Sequence, residues 1–244
     1  MKIEIKEILD ANTIRVTTPD ERFYQYPKTK EWFASSTWIS SYVPSKQLAR
    51  WMAKTGFDEA EVIKREAGEK GSRVHKGIEV LISGFEVFHN DSFSDGEGNN
   101  KEISAEEYEA IISFYDWVKE VKPKFLTSEK TIFNEEYKYA GTLDCMAEIG
   151  GQIYLIDFKT SANIYLSHEV QISSYFHADN IKADKMAILQ VGYGKNKKFY
   201  KFTEIEDKFG LFLSAHSFWV EENLNKQPKQ KDYAKSIKLN KEGE

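Results

Sequence analysis

The sequence predicts a single α/β domain in which helices flank a mixed β-sheet, with a helical elaboration near the N-terminus. Strand-like and helix-like segments alternate along the 244 residues, apolar residues make up 41% of the chain, and no repeat or linker divides it. This apolar content is sufficient for one substantial core. We therefore expect one domain over residues 1–225, followed by a basic, flexible tail over residues 226–244.

The N-terminal third is predicted to begin with extended chain and to continue with helices. Residues 2–8 and 13–17 alternate in polarity as strands do, and residues 22–34 also favour extended chain. Ser36 and Ser45 stand where N-caps belong, ahead of two short helices.

A third helix is predicted up to residue 83, with Asp58 as its candidate N-cap. It contains Gly68, Gly71 and Gly77, and a glycine weakens a helix by up to about 1 kcal/mol. Either the helix breaks near Gly68, or another part of the molecule approaches its backbone closely.

The remaining elements follow from capping and turn signals. Ser104 and Glu107 form the pattern of a capping box, which predicts a helix ending near Lys119. Gly150 and Gly151 indicate a tight hairpin. The other predicted elements are strands over 125–133, 139–149 and 152–158, a helix over 167–181, strands over 185–193 and 197–205, and a helix over 206–224.

Composition excludes several classes of protein. The formal net charge is −5, so attraction to nucleic acid requires a local basic face rather than an overall positive field. Cys145 is the single cysteine, which excludes an internal disulfide, a Cys-rich zinc site and a four-Cys iron–sulfur cluster within one chain.

The chain carries no apolar run near the ~20 residues that span a bilayer, and its N-terminus lacks the apolar segment of a signal peptide. We expect a cytoplasmic protein with no membrane partner, found in the host cytoplasm if a phage encodes it. The sequence does not indicate a protein partner.

Two acids and a lysine are predicted to meet where two paired strands end. Strand alternation places Asp157 and Lys159 on one face, and the Gly-Gly hairpin brings Asp144 beside them. Carboxylate oxygens suit Mg²⁺, a nearby metal ion activates water, and a lysine can orient or deprotonate that water. Alone, however, an Asp-x-Lys pattern is more often a surface ion pair.

Two helical patterns surround these residues. His75 follows Gly71 by one helical turn, and Gln171 and Tyr175 share a face of the helix after Lys159. Taken singly, His75 fits a core or surface histidine, and Gln171 and Tyr175 fit an ordinary helix flank.

Together the ordered motifs resemble a known family. Gly71-x-x-x-His75, Gly141-Thr142-x-Asp144, Asp157-x-Lys159-Thr160 and Gln171-x-x-x-Tyr175 resemble the RecB-like branch of the PD-(D/E)XK nucleases. The earlier Arg-x-Tyr-x-x-Pro, Ser-Ser-Thr and Lys-Gln-Leu-Ala-Arg-Trp segments resemble its phage-type and mitochondrial-genome-maintenance exonucleases. The resemblance covers roughly residues 22–180 and implies a restriction-endonuclease-like fold.

The resemblance implies a role for each matching residue. His75, Asp144, Asp157 and the backbone carbonyl of Phe158 match ligands of Mg²⁺ or Mn²⁺, and Lys159 matches the catalytic lysine. Gln171 and Tyr175 match residues that position this lysine or the DNA. A further acid is expected ahead of the Gly-Thr-x-Asp strand, for which Glu129 competes with Glu135 and Glu136. The four-cysteine, iron–sulfur subtype is excluded.

A second candidate DNA-binding surface lies on the later hairpin, where lysines and aromatic residues are interleaved in a pattern that suits phosphate binding and base stacking. An ordinary solvated hairpin is an equal alternative. Its candidate residues are Lys195, Lys197, Lys198, Phe199 and Tyr200. The basic tail either binds the DNA backbone or keeps the protein soluble.

The expected function is hydrolysis of DNA by an exonuclease that acts on ends or single strands, in recombination, repair or phage DNA processing. A structure-specific endonuclease is the first alternative. A nuclease-fold protein that binds DNA or another partner without cutting is the second.

Overall fold

The computed structural model describes residues 5–9, 13–18, 21–95 and 99–228. It has a mixed α/β architecture with helices flanking a central sheet, which confirms the predicted fold class at this level. The strands are β1 (Ile5–Ile8), β2 (Ile14–Thr17), β3 (Arg22–Gln25), β4 (Trp32–Ser35), β5 (Ser92–Ser94), β6 (Asn100–Glu102), β7 (Lys124–Asn134), β8 (Tyr139–Ile149), β9 (Gln152–Lys159), β10 (Lys185–Val191) and β11 (Tyr200–Ile205). The helices are α1 (Ser36–Ser40), α2 (Lys46–Thr55), α3 (Phe57–Ile82), α4 (Ala105–Val121), α5 (Leu166–Phe176) and α6 (Phe209–Asn223).

Strand β8 lies in the middle of a nine-stranded sheet. Because β7 pairs with one edge of β8 along most of its length, β4 and β9 share the opposite edge. Strand β4 pairs in parallel with Tyr139 and Ala140, and β9 pairs antiparallel with residues 145–149. Residues 141–144 therefore lie where the sheet divides between β4 and β9.

Apolar residues cover both faces of this sheet. One core cluster joins the sheet to α1, α5 and α6 and includes Ile39, Val170 and Phe212. The other joins the opposite face to α3 and α4 and includes Val74 and Phe114. Burial on both faces explains why β9 and β10 are apolar almost throughout their lengths.

The N-terminal elaboration is not purely helical, because it begins with strands in the segments 13–17 and 22–34 that the sequence predicts to be extended. Strands β1–β4 form an antiparallel meander that extends the central sheet, and only then do α1–α3 follow. Ser45 caps α2 as predicted, but Ser35 rather than Ser36 caps α1. Ser36 is buried instead and hydrogen-bonds to Ser174 on α5.

Helix α3 runs unbroken through its three glycines and begins at Phe57, so Gly56 rather than Asp58 is its N-cap. A Cβ atom at Gly77 would lie 2.5 Å from Cδ1 of Ile111 on α4. Close packing of α3 and α4 therefore accounts for Gly77. This is the second predicted alternative, in which another part of the molecule approaches the helix backbone closely.

The C-terminal two thirds follow the prediction closely. Ser104 and Glu107 form the capping box of α4, and Gly150 and Gly151 both have positive φ at the β8–β9 turn. Helix α5 is shorter than predicted, and most of the predicted tail lies outside the described residues. None of the described helices is long and apolar enough to cross a membrane.

Candidate metal and phosphate site

Asp157 and Lys159 lie side by side at the end of β9, as strand alternation predicts. Lys159 Nζ lies 2.7 Å from Asp157 Oδ2, and the Asp157 side chain is 4% exposed. That oxygen nevertheless receives no hydrogen bond of acceptable geometry. A buried carboxylate oxygen in this state retains a lone pair for another ligand.

Asp144 joins this pair from the neighbouring strand. The β8–β9 register places it opposite Asp157, one step beyond the Cys145–Ile156 pair. Its Oδ2 accepts a hydrogen bond of 2.6 Å from the Phe158 N–H. The N–H and C=O groups of a strand residue point towards the same neighbouring strand, so the Phe158 carbonyl also faces β8.

His75 reaches the site from α3. Its Nδ1 lies 3.5 Å from Asp144 Oδ1, and its ring packs edge-on against Phe158. The structure thus brings together the three side chains that the motifs predicted as metal ligands.

The acids of this site have different pKa values. Burial raises the pKa of Asp144, but the charges of His75 and Lys159 outweigh it and hold the pKa below its usual range. Burial, with the Asp144 charge, raises the pKa of Asp157 to about 6 despite the adjacent Lys159. Asp144 is therefore ionised well below neutral pH, whereas Asp157 loses its proton only near pH 6.

The cations beside these acids remain protonated more readily than usual. Burial lowers the pKa of Lys159, but Asp157 and Asp144 outweigh it and raise the pKa overall. Burial likewise lowers the pKa of His75, and Asp144 more than offsets that effect. In this arrangement Lys159 is an ammonium group, which donates hydrogen bonds and offsets negative charge.

Among the three acids that competed for the additional position, Glu129 lies at the site. The β7–β8 register places it opposite Asp144, between the Ser128–Cys145 and Lys130–Leu143 pairs. Burial and the Asp144 charge raise the pKa of Glu129 to about 7. Its φ of +50° is rare for a non-glycine residue within a strand and is typical of functional sites.

The competing acids lie elsewhere. Glu135 is bound by Lys28 and Tyr26 at an exposed position, and Glu136 interacts with the neighbouring Tyr137. Neither lines the groove described below.

Two of the motifs fit together across the division in the sheet. A Cβ atom at Gly141 would lie 2.6 Å from Cε1 of Tyr175, so only glycine accommodates this ring. Gln171 donates hydrogen bonds to the Tyr175 hydroxyl and to Thr37 on α1. Because Tyr175 is 3% exposed, its contacts hold β8 and α5 together.

One groove of about 1230 Å³ is lined by the predicted site residues, together with residues that the sequence did not single out. The predicted site residues in its lining are His75, Glu129, Asp144, Asp157, Lys159, Gln171 and Tyr175. Arg15 and Arg22 line the groove from β2 and β3, and Glu79 lines it one helical turn beyond His75. His168 lies on its α5 side, one turn before Gln171. Helical spacing from His75 and Gln171 was the signal that could have found Glu79 and His168.

The later hairpin does not present its candidate residues as one free surface. Lys198 and the Tyr200 hydroxyl both bind Glu120 on α4, and Tyr200 is 8% exposed. Lys195 donates to Ala162 and Asn163, in the loop that follows β9. Lys197 and the 49%-exposed Phe199 are solvent-facing, and Phe199 also borders the groove.

The candidate metal donors are the side chains of His75, Asp144 and Asp157 and the backbone carbonyl of Phe158. The described residues contain no preformed group of three His, Cys, Asp or Glu side chains placed to hold a metal. His75 faces Asp144, and Lys159 faces Asp157. The set of carboxylates, one carbonyl and one imidazole nevertheless suits Mg²⁺ or Mn²⁺. The buried Oδ2 of Asp157, which pairs with Lys159 but accepts no hydrogen bond of acceptable geometry, supports this fit.

No family model matches this chain, and no curated protein matches it. The motifs and the geometry of the groove are therefore the basis for a functional assignment.

Proposed function

We propose that this chain is a divalent-metal-dependent deoxyribonuclease with the restriction-endonuclease-like fold of the RecB-like nucleases. The observation that carries the proposal is the pair formed by the half-buried Asp144 and the buried Asp157 on adjoining strands, with Lys159 beside it in a large groove. Pockets for small ligands typically have about 300–1,000 Å³. A groove of about 1230 Å³ is better suited to a polymer.

His75, Asp144, Asp157 and the Phe158 carbonyl would hold the metal, with Glu129 as an additional acid. A divalent ion at this position supplies positive charge and Lewis acidity towards a phosphate oxygen. The raised pKa values of Asp157 and Glu129 show that their ionised forms are poorly stabilised by the protein alone. A bound cation would stabilise these ionised forms. The metal-binding groups must be deprotonated, so metal affinity should fall below about pH 6.

Lys159 acts on the water and the phosphate. In hydrolysis a water oxygen bonds to phosphorus and gives up a proton to the solvent, the P–O bond to the leaving nucleotide breaks, and negative charge increases on the non-bridging oxygens. The Lys159 ammonium donates a hydrogen bond to the attacking water or to one of these oxygens, which stabilises the transition state. Its raised pKa favours this role over that of a general base.

The basic walls of the groove would hold the DNA backbone. Arg22 lines the groove and makes no ion pair within the described residues. Arg15 lies near Glu129 and lowers its pKa. Such local cations compensate for the net charge of −5, because phosphate contacts act over short distances at physiological salt.

The test is cleavage of linear and circular DNA with Mg²⁺ or Mn²⁺, beside DNA binding in Ca²⁺, for the wild type and for Asp144→Asn. We expect wild-type protein to cut linear DNA only, which is exonuclease activity, and the variant to be inactive. Cleavage of closed circles would replace the exonuclease assignment with an endonuclease. Binding without cleavage would indicate a non-cutting protein, and neither binding nor cleavage would refute the proposal.

A further inference from the structure

His168 occupies the groove wall opposite α3 and has no part in the four motifs. It lies in the first turn of α5, three residues before Gln171, and both residues line the groove with Asp157 and Lys159. Residues three apart in a helix share a face. His168 therefore faces the same space as the proposed catalytic groups.

Backbone contacts fix the orientation of the His168 ring. The Tyr165 N–H donates to Nδ1 at 3.4 Å, and the Tyr165 ring packs edge-on with a centroid separation of 5.2 Å. In a neutral imidazole one nitrogen accepts and the other carries the proton. Because Nδ1 is the acceptor here, Nε2 carries the proton, and no described residue accepts a hydrogen bond from it.

The electrostatic environment keeps the His168 imidazole neutral. Burial and the charge of Lys159 together lower the pKa of His168 to about 3. A neutral ring cannot act as a general acid at neutral pH. It can still donate one hydrogen bond to an anionic oxygen without placing a second positive charge beside Lys159.

We propose that His168 is a further substrate-contacting residue whose Nε2–H donates to a non-bridging oxygen of a DNA phosphate in the groove. This inference rests on the proposed nuclease function. A hydrogen bond from a neutral donor to a charged group contributes enough that its loss corresponds to about a 10- to 100-fold change in rate or affinity. The contact orients the phosphate that Lys159 and the metal ligands act upon.

The test uses DNA in which one phosphorothioate of known stereochemistry replaces the linkage that the wild type cuts. Single-turnover cleavage is measured for the wild type, His168→Ala and His168→Gln, with the exposed His89→Ala as matched control. Glutamine retains an N–H donor near the position of Nε2. Thermal unfolding and Mn²⁺ binding of each variant check the fold and the metal site.

We expect His168→Ala to slow cleavage of normal DNA by about 10- to 100-fold, His168→Gln to recover most of that loss, and His89→Ala to match wild type. For one stereoisomer, sulfur should slow the wild type more than it slows His168→Ala, because the alanine variant has already lost the contact.

Two results would overturn the inference separately from the proposed function. Suppose that wild type cuts DNA and that sulfur slows His168→Ala as much as it slows the wild type, for each of the two stereoisomers. His168 then does not touch the phosphate. An equal loss in the alanine and glutamine variants would make the residue structural. If wild type cuts under no condition, the proposed function fails and this inference fails with it.

Discussion

Two ion pairs of this molecule, each with a buried acid, have the same length but different surroundings. Arg73 Nη2 lies 2.7 Å from Glu107 on α4, and Lys159 Nζ lies 2.7 Å from Asp157. Glu107 also accepts a 2.6 Å hydrogen bond from the Ser104 N–H and a second bond from Arg73 Nε. Asp157 Oδ2 receives no hydrogen bond of acceptable geometry.

The pKa values of the two acids reflect this difference. Burial raises the pKa of Glu107, but the bonds from Ser104 and Arg73 outweigh it and lower the pKa overall. For Asp157 burial prevails, and its pKa rises to about 6. A nearby cation therefore does not by itself lower the pKa of a buried carboxylate, which also depends on burial, on further hydrogen bonds and on neighbouring charges such as that of Asp144. The first pair joins two helices, and the second leaves an acid available to a ligand.

The largest expected effect would come from breaking the first pair. Arg73→Ala leaves Glu107 buried without its cation, which typically costs about 3–5 kcal/mol. We expect that loss in the free energy of unfolding, measured with urea. The double variant Arg73→Ala/Glu107→Gln should recover part of it, because the uncompensated charge is gone. A loss under about 1 kcal/mol would show that this pair contributes no more to stability than an exposed ion pair does.

The second prediction concerns the lysine of the other pair. Lys159→Ala should reduce the single-turnover cleavage rate by at least ~10²-fold, as is typical for the loss of one group that stabilises the transition state. DNA affinity in Ca²⁺ should change little. Lys159→Arg should not restore the rate, because a planar guanidinium projects differently.

Lys198→Ala is the matched control for that experiment, because Lys198 also pairs with an acid but outside the groove. It should cleave at the wild-type rate. Cleavage by Lys159→Ala at near the wild-type rate would reduce Lys159 to an ordinary ion-pair residue. If binding is lost together with cleavage, its role is to anchor the phosphate.

The third prediction is smaller and concerns stability in EDTA. The pKa of Asp157 is about 6 in the folded protein and 3.8 in its ordinary state. Between about pH 4 and pH 6 the folded protein therefore holds a proton that the unfolded chain has lost, so stability falls as pH rises. Asp157→Asn removes this titration, so the fall in stability between about pH 4 and pH 6 should be absent from the variant.

The exposed Asp116→Asn serves as the control for that measurement and should have little effect. Thermal or urea unfolding at pH 4 to 8 supplies the data. If Asp157→Asn loses stability over the same pH range as the wild type, then Asp157 does not carry this titration, and the contrast with Arg73 and Glu107 disappears.

Local signals in the sequence predicted much of the fold. Alternation placed Asp157 and Lys159 on one face of a strand, and the Gly-Gly turn fixed the β8–β9 hairpin. The capping box of Ser104 and Glu107 marked the start of α4. These patterns act over a few residues, so a single sequence is sufficient to recognise them.

Contacts between distant segments could not be predicted in this way. The parallel pairing of β4 with β8 joins Ser35 to Ala140 and makes the N-terminal extended chain part of the central sheet. The sequence predicts Tyr200 as a base-stacking residue. In the structure its hydroxyl donates a hydrogen bond to Glu120, 80 residues earlier in the chain. Neither partner leaves a periodic mark in the sequence, because each contact depends on the tertiary fold.

The central claim is that Asp144 and Asp157 form a metal site, and Mn²⁺ titration by calorimetry tests it most directly. Metal-free wild-type protein, Asp144→Asn and the surface control Asp116→Asn would be compared at pH 7.5, where Asp157 is ionised. We predict saturable Mn²⁺ binding with release of protons by wild type and by Asp116→Asn, and binding weakened at least ~10-fold in Asp144→Asn. Equal binding by all three proteins, or no binding by wild type, would contradict the account.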